Sequence, residues 1–306
     1  MEIFLSLLIK LLPLYGLILI GFFAGRFLKV NKEKLAALLI YVIIPVVIFH
    51  SVSSAPLSVS TLSLPLIFFF LTCLLSIICY FLAGLLWKNA TKNIIAYMSG
   101  SANTGYFGLP VAFILFGNES VQIVALIVLG TALYSNSFGF FLAAKGHHST
   151  RESLLKVIKL PMLYAFFLGI FVNYFHISFG PMEQIVATFF TNALTVLGMM
   201  LIGVALSEIK QFTLDVRFIG FSLFAKFVLW PIAIVLLILF DQLILHFFSE
   251  KIYHIFIIMS VVPIAANMVT FATVLKNQPE KVSVAVVIST LASLFIIPLI
   301  TILFLT

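Results

Sequence analysis

Long runs of apolar residues alternate with short polar segments along the whole chain. Ten of these runs reach the length of about 20 residues that a helix needs to cross the hydrocarbon core of a bilayer. The pattern therefore predicts an all-α integral membrane protein with ten transmembrane helices. The predicted segments are 6–27, 35–53, 64–87, 93–117, 121–143, 160–177, 185–207, 218–241, 252–275 and 283–305.

Composition narrows the class of protein further. Hydrophobic residues make up 63% of the 306 residues and charged residues only 9%, whereas a soluble domain carries about 25% charged residues. The formal net charge of +7 arises from short connections between apolar runs and not from one basic cluster. We therefore expect a lipid bilayer as the surrounding medium and no nucleic-acid partner.

The distribution of basic residues predicts an orientation. Of the 17 Lys and Arg, all but Lys10, Lys226 and Lys251 lie on one side of the predicted membrane. The positive-inside rule makes that side cytoplasmic, so we predict a multi-pass protein of the cytoplasmic (inner) membrane with both termini extracytoplasmic. Positive charge follows the first apolar run, which favours a retained helix over a cleaved signal peptide.

The order of the runs predicts an internal repeat. Residues 1–144 hold the first five helices, 145–159 form a cytoplasmic linker, and 160–306 hold the second five. Because each half has an odd number of helices, the second half crosses the membrane in the opposite sense. Two inverted five-helix repeats are a common arrangement among secondary transporters.

Residues that break helices interrupt the fourth run in its middle. The stretch 99–110 reads SGSANTGYFGLP, and the ninth run carries a matching interruption at 260–270, SVVPIAANMVT. Lipid cannot satisfy free backbone groups, so such breaks face protein or a water-filled cavity. A closely packed glycine-rich helix would explain the fourth run alone. The paired breaks instead predict that helices 4 and 9 are broken, cross near the midplane and form a substrate site.

Other polar or helix-breaking residues within the runs are weaker candidates. Lys226 lies near the middle of the eighth run, where an ammonium either faces the protein interior or snorkels toward the membrane surface. In the first case it would attract an anionic substrate or be a charge that moves between conformational states. Asn136 in the fifth run either lines a cavity or bonds to a neighbouring helix. Three residues are expected at hinge or packing positions: Pro45, Gly108 and Gly203.

Carboxylates are confined to the ends of the predicted helices. Cation-coupled carriers often place a carboxylate within the membrane, and the sequence patterns of intramembrane enzymes are absent. We therefore expect a carrier for anions, not an enzyme, with no cofactor and no metal site. Sodium held by backbone carbonyls at the breaks remains an alternative.

The motif GSANTGYFGLP at 100–110 resembles the fourth-helix motif of the auxin efflux carrier family, whose bacterial members include malate and malonate permease-like proteins. Three weaker features are also similar to that family: Pro45, Lys226 with Pro231, and the segment 263–267. The resemblance implies a scaffold domain and a crossover-bearing transport domain that moves as an elevator. A homodimer through the scaffold is a further expectation by analogy.

The resemblance also implies which residues bind the substrate. Those expected at the crossover are Asn103, Thr104, Gly105, Pro110, Pro263, Ala266 and Asn267. Plant members carry Asn-Pro-Asn at the first break, whereas Asn103 is followed here by Thr104 and Gly105, so auxin itself is not the expected cargo. The sequence predicts a secondary transporter for a small organic anion, a carboxylate, working by alternating access. A sodium-coupled organic anion symporter of related fold and an ion channel are the alternatives.

Overall fold

A computed structural model describes residues 2–54, 58–144, 161–208 and 214–305. Within these ranges the regular structure is helical, and the one β contact is an isolated bridge. The prediction of an all-α protein is therefore confirmed for these residues. The predicted linker at 145–159 lies outside them.

The helices follow the predicted apolar runs, and we number them in chain order. Those of the first half are α1 (Glu2–Phe27), α2 (Lys32–Ser53), α3 (Val59–Leu86), α4a (Thr91–Gly100), α4b (Thr104–Phe116) and α5 (Asn118–Ala143). Those of the second half are α6 (Pro161–Tyr174), α7 (Pro181–Ser207), α8 (Val216–Leu245), α9a (Glu250–Ser260), α9b (Met268–Val274) and α10 (Pro279–Leu305).

Seven of these helices are long and apolar enough to cross a membrane: α1, α2, α3, α5, α7, α8 and α10. The fourth and ninth helices are interrupted, and α6 has only 14 residues. Large apolar side chains such as Leu19, Phe70 and Phe189 stay exposed on outer faces, as expected of helices that face lipid. These features are consistent with a membrane protein that has several candidate spans, and the ten-helix inverted repeat stays a prediction.

Three helices contain a π-helical turn just before a proline. Proline has no N–H and its ring clashes with the preceding turn, and a π-turn accommodates that disruption without ending the helix. The pairs are Leu39–Ile43 with Pro45, Thr104–Gly108 with Pro110, and Ala225–Leu229 with Pro231. Pro45 therefore marks an irregular turn in α2, and its role as a hinge or packing position stays a prediction.

The helices pack in two groups that mix the two halves of the chain. In the first helix group, α1 packs along α7, and α2 packs on α6 and α7. The second helix group contains α3, α4 and α5 packed together with α8, α9 and α10. The groups meet where α7 contacts the start of α4b, where α2 contacts α5 and where α1 contacts α10.

Two glycines allow α1 and α7 to approach closely. A Cβ atom at Gly203 would lie 1.9 Å from the carbonyl oxygen of Ile18, and one at Gly21 would lie 2.1 Å from that of Met200. Close backbone approach at small residues is the usual basis of helix association in membranes. Gly203 is thus a packing position within the first helix group.

An ion pair joins the start of α8 to α10. The Asp215 carboxylate accepts a hydrogen bond from the Lys281 ammonium at 2.8 Å and another from the backbone N–H of Phe218 at 3.0 Å. The hydrogen bond from Lys281 contributes most, and that from Phe218 next, to holding the pKa of Asp215 below its usual range. The carboxylate therefore stays charged and caps α8 at neutral pH.

We expect Gly203→Ala to destabilise the protein, because the added methyl group overlaps backbone that can move only if α1 shifts. Overpacking of this kind costs about 1–3 kcal/mol. The matched control is Gly220→Ala in α8, where nothing lies within 4 Å of the added Cβ. Thermal unfolding in detergent should show a lower midpoint for Gly203→Ala than for the unmodified protein. The midpoint of Gly220→Ala should not be lowered. Equal midpoints for the two variants would contradict the close α1–α7 contact.

Candidate functional site

The two interrupted helices meet at their breaks. The extended segments run antiparallel and form a bridge between Ala102 and Ile264. The backbone N–H of Asn103 donates to the carbonyl of Pro263 at 2.9 Å. In the other direction, the N–H of Ala265 donates to the carbonyl of Ser101 at 3.2 Å. Backbone groups that the broken helices leave unpaired thus bond to each other. We call this contact the crossover.

Side chains from α10 and α8 complete the hydrogen bonds of the crossover. The Ser289 hydroxyl accepts from the N–H of Ile264 at 3.2 Å, and the Ser293 hydroxyl donates to the carbonyl of Val261 at 3.1 Å. The last turn of α4a is held in the same way, because the indole N–H of Trp230 donates to its Ser99 carbonyl at 2.6 Å. The breaks are therefore built into the packing of the second helix group.

A cavity of about 390 Å³ opens beside the crossover, between the two helix groups. Its walls come from both breaks and from α2, α5 and α7. Lys32 and Glu33 lie at its mouth, where the Lys32 ammonium is 2.5 Å from the Glu208 carboxylate. We call it the crossover cavity and call this side of the molecule the Lys32 end.

Two polar side chains of the first break face the crossover cavity. Asn103 is 4% exposed, and its amide nitrogen has no hydrogen-bond partner within the described ranges. The Thr104 hydroxyl lies 2.8 Å from the hydroxyl of Thr131 on α5. A buried donor without an acceptor costs about 1–3 kcal/mol, so a ligand that supplies an acceptor to Asn103 would remove that cost.

The crossover cavity brings together most of the candidate residues. Those that line it are Asn103, Thr104, Gly105, Ala266, Asn267 and Asn136. Asn136 also donates its amide N–H to the Ala132 carbonyl of its own helix at 2.9 Å.

Two of the residues expected to bind the substrate, Pro110 and Pro263, do not line the crossover cavity. Gly108, which was expected at a hinge or packing position, does not line it either. Pro263 contributes its backbone carbonyl to the crossover, and Pro110 lies in the first α-helical turn after the π-turn of α4b. Gly108 donates its N–H to the Asn103 carbonyl at 2.8 Å, and a Cβ atom there would lie 2.9 Å from the sulfur of Met259. These residues shape the backbone of the site and its packing.

Lys226 points into the protein, so the alternative that it snorkels to the membrane surface is wrong. Its side chain is 1% exposed, and its ammonium nitrogen lies 4.1 Å from the ring centroid of Trp230. No hydrogen-bond partner for this nitrogen occurs among residues 2–54, 58–144, 161–208 and 214–305. Lys226 does not line the crossover cavity, and its nearest link to the crossover is Trp230, which bonds to Ser99.

Several cavity residues were missed by sequence reasoning. Thr131 bonds to Thr104, and Thr270 adds a hydroxyl from α9b. Thr131 lies four residues before Ser135, which also lines the cavity, and that spacing places both on one face of a helix. The periodicity could have identified Thr131 once α5 was known to face the crossover. Over the same described ranges, no cluster of three His, Cys, Asp or Glu side chains could hold a metal ion.

We expect Trp230→Phe to destabilise the protein and Lys226→Met not to. Methionine removes a buried charge that lacks a hydrogen-bonded partner, so we expect an unchanged or higher unfolding midpoint. Phenylalanine leaves the buried Ser99 carbonyl without its donor, which costs about 1–3 kcal/mol. Thermal unfolding in detergent measures the midpoints of both variants. Trp87→Phe, at the end of α3, is the control for replacing a tryptophan with a phenylalanine. A Lys226→Met midpoint as low as that of Trp230→Phe would mean that the ammonium stabilises the fold.

Two comparisons with known proteins match this chain, one over nearly its whole length and one over part of it. The family described as membrane transport protein matches residues 6–301. An uncharacterized transporter of Methanocaldococcus jannaschii is 26% identical over an alignment of 204 positions, which covers 62% of this chain and 66% of that protein. The match thus spans just under two thirds of that relative's length.

Proposed function

This chain belongs to the membrane transport protein family, and we propose that it is a secondary transporter that carries a small organic anion across the cytoplasmic membrane. The family is that of the auxin efflux carriers, which the motif at 100–110 resembles. Family membership and the similarity to a protein described as a transporter support a role in membrane transport. The anionic cargo, a carboxylate, and the mechanism are our proposal.

The observation that carries the proposal is the unpartnered amide of Asn103 at the start of α4b. N–H groups in the first turn of a helix have no acceptor within the helix, and that end of the helix favours negative charge. Gly105 and Tyr106 of this turn line the crossover cavity. A carboxylate there would accept hydrogen bonds from the Asn103 amide and the first-turn backbone.

The position of the acidic groups favours an anion over a coupled cation. Glu33 is the one carboxylate among the residues that line the crossover cavity, and it lies at the mouth beside Lys32. Asp241 is buried, but it accepts hydrogen bonds from two backbone N–H groups and from Tyr253. Neither carboxylate lies at the crossover, where a proton or sodium ion would be held.

The backbone at the breaks also favours this interpretation over a sodium-coupled symporter. Sodium held at helix breaks needs backbone carbonyls that point at the ion. The carbonyls of Ser101, Pro263 and Ser99 each accept a hydrogen bond from an N–H group. These oxygens are therefore engaged in holding the crossover together.

We propose that transport uses alternating access, with the second helix group moving against the first. The crossover belongs to the second group and the facing walls of the cavity on α2 and α7 belong to the first. In this proposal the second group is the transport domain and the first is the scaffold, through which a homodimer would form. The helices would form two inverted repeats with both termini extracytoplasmic, so the Lys32 end would face the cytoplasm.

We expect Asn103→Ala to lower transport about tenfold or more, since losing one hydrogen bond to a charged group costs about 1.5–3 kcal/mol. Counterflow in proteoliposomes measures this, with radiolabelled malate and malonate first and other small carboxylates after them. The control is Asn277→Ala, whose amide bonds to the Ala90 carbonyl outside the cavity.

Counterflow also separates the alternatives. Saturable counterflow identifies a carrier, and flux without counterflow identifies a channel. A requirement for sodium would favour the symporter. Normal counterflow by a well-folded Asn103→Ala protein would contradict the proposed site.

A further inference from the structure

The mouth of the crossover cavity carries a positive charge that lies apart from the crossover. Asn31 caps α2 by accepting a hydrogen bond from the backbone N–H of Lys34 at 2.7 Å, which places Lys32 in the first turn of that helix. Of the described residues that line the cavity, Lys32 is the one with a basic side chain. That side chain is 14% exposed, so solutes that enter the cavity can reach its ammonium group.

Two carboxylates occupy the Lys32 ammonium. Glu208, directly after α7, lies 2.5 Å from it, and Glu33 lies 3.8 Å away. The Glu208 side chain is 44% exposed, so water can solvate its carboxylate once it leaves the lysine. Because solvent screens an ion pair of this kind, the pair contributes little to stability. The Lys32–Glu208 pair can therefore open at small cost and release the ammonium to another carboxylate.

Beyond its mouth, the first helix group presents an uncharged and mostly apolar wall to the cavity. The α7 lining residues are Leu201 and Ala205, and those of α2 after Glu33 are alanine, isoleucine and tyrosine side chains. The amides and hydroxyls deeper in the cavity come from α4b, α5 and the second break, all in the second helix group. An anion that enters thus has Lys32 as its charged partner in the first group and meets the donors of the second group afterwards.

Lys32 is too far from the crossover to touch an anion bound there. The Gln122 amide donates to the Ser54 hydroxyl at 3.2 Å, so these residues of α5 and α2 lie at one level. Ten residues from this bond toward the Lys32 end lie Ala132 and Ile44, and both line the cavity. Ala132 follows the residue of α5 that bonds to the first break, so Ile44 lies near the level of the crossover. Lys32 is twelve residues further along α2, or about 18 Å at 1.5 Å per residue.

We infer that Lys32 is a separate binding position for the anion at the mouth, where the carboxylate of the cargo takes the place of the Glu208 carboxylate before the cargo passes to the crossover. This inference rests on the proposed function. The separation of about 18 Å is roughly twice the Debye length at physiological ionic strength. Lys32 therefore acts on the arriving anion and not on the anion bound at Asn103.

Protection of two engineered cysteines separates the mouth from the crossover. The chain has two cysteines, so Cys73→Ala with Cys79→Ala gives a cysteine-free background. Ala36→Cys reports on the mouth, because residue 36 lines the cavity one helical turn from Lys32. Gly105→Cys reports on the crossover, where the nearest atom to an added Cβ is 3.6 Å away. The reaction of each purified variant with an uncharged methanethiosulfonate is measured against malonate concentration, with chloride holding the ionic strength constant.

We expect malonate to slow the reaction of both cysteines and the uncharged malonamide to slow neither. Lys32→Gln should raise the malonate concentration that halves the reaction of Ala36→Cys about tenfold, as expected for losing one hydrogen bond to a charged group. It should leave that concentration unchanged for Gly105→Cys, and Asn103→Ala should do the reverse. The control is Lys34→Gln, which removes an exposed charge of the same helix outside the cavity and should change neither value.

Glu208→Gln should act in the opposite direction. Loss of the competing carboxylate frees the ammonium, so we expect the protecting malonate concentration at Ala36→Cys to fall about threefold, within the range of an exposed ion pair. If the pair only held α2 to α7, Lys32→Gln and Glu208→Gln would break the same contact and shift protection in the same direction. A shift in the same direction would overturn the inference. Glu208→Gln tests the inference by itself if Lys32→Gln does not fold, and an unchanged or raised concentration would then overturn it.

The two cysteines also keep this inference apart from the proposed function. Malonate that protects Gly105→Cys but not Ala36→Cys would overturn the inference alone. Malonate that protects Ala36→Cys but not Gly105→Cys, with no counterflow of malate or malonate, would refute only the proposed function. Protection of neither cysteine would overturn both.

Discussion

The backbone contact between the two breaks is the interaction on which the rest of this structure depends. A helix interrupted inside a bilayer exposes N–H and C=O groups that lipid cannot bond. Here each break supplies hydrogen-bond acceptors to the other. The N–H of Asn103 donates to the Pro263 carbonyl, and the N–H of Ala265 donates to the carbonyl of Ser101. Ser289, Ser293 and Trp230 complete the arrangement. Because the backbone is already satisfied, the Asn103 side chain is left free to face the cavity.

Helix packing decides where that side chain can act. The crossover lies in one helix group and faces another group built around the close approach of α1 and α7 at Gly21 and Gly203. The boundary between the groups contains the crossover cavity at the Lys32 end and a smaller cavity at the other end, lined by residues that include Ser51, Gln122 and Thr191, and α2, α5 and α7 line both. The closely packed α1 and α7 face the first turn of α4b, whose Tyr106 backbone would lie 3.3 Å from a Cβ atom at Gly198. This close contact between the groups fits the proposed carrier.

Among the described residues, the buried charged side chains are Lys226 and Asp241. Lys226 is buried against Trp230 without a hydrogen-bonding partner in the described part of the chain, and Asp241 is enclosed by donors far from the crossover. The crossover cavity has its charged groups only at the mouth. Recognition of a cargo at the crossover would therefore rely on amide, hydroxyl and backbone donors, which are the partners that a carboxylate accepts.

The sequence by itself determined the helical class, the bounds of the apolar runs and the two breaks, because hydrophobic length and helix-breaking residues act locally. It also identified Asn103, Thr104 and Asn267, which line the cavity. Only the tertiary structure decided that Pro110 and Pro263 shape the backbone of the site and do not line its cavity. It also decided that the Thr131 hydroxyl bonds to Thr104 and that Lys226 points inward. The direction of a side chain depends on which distant helix packs against it, and no local pattern records that contact.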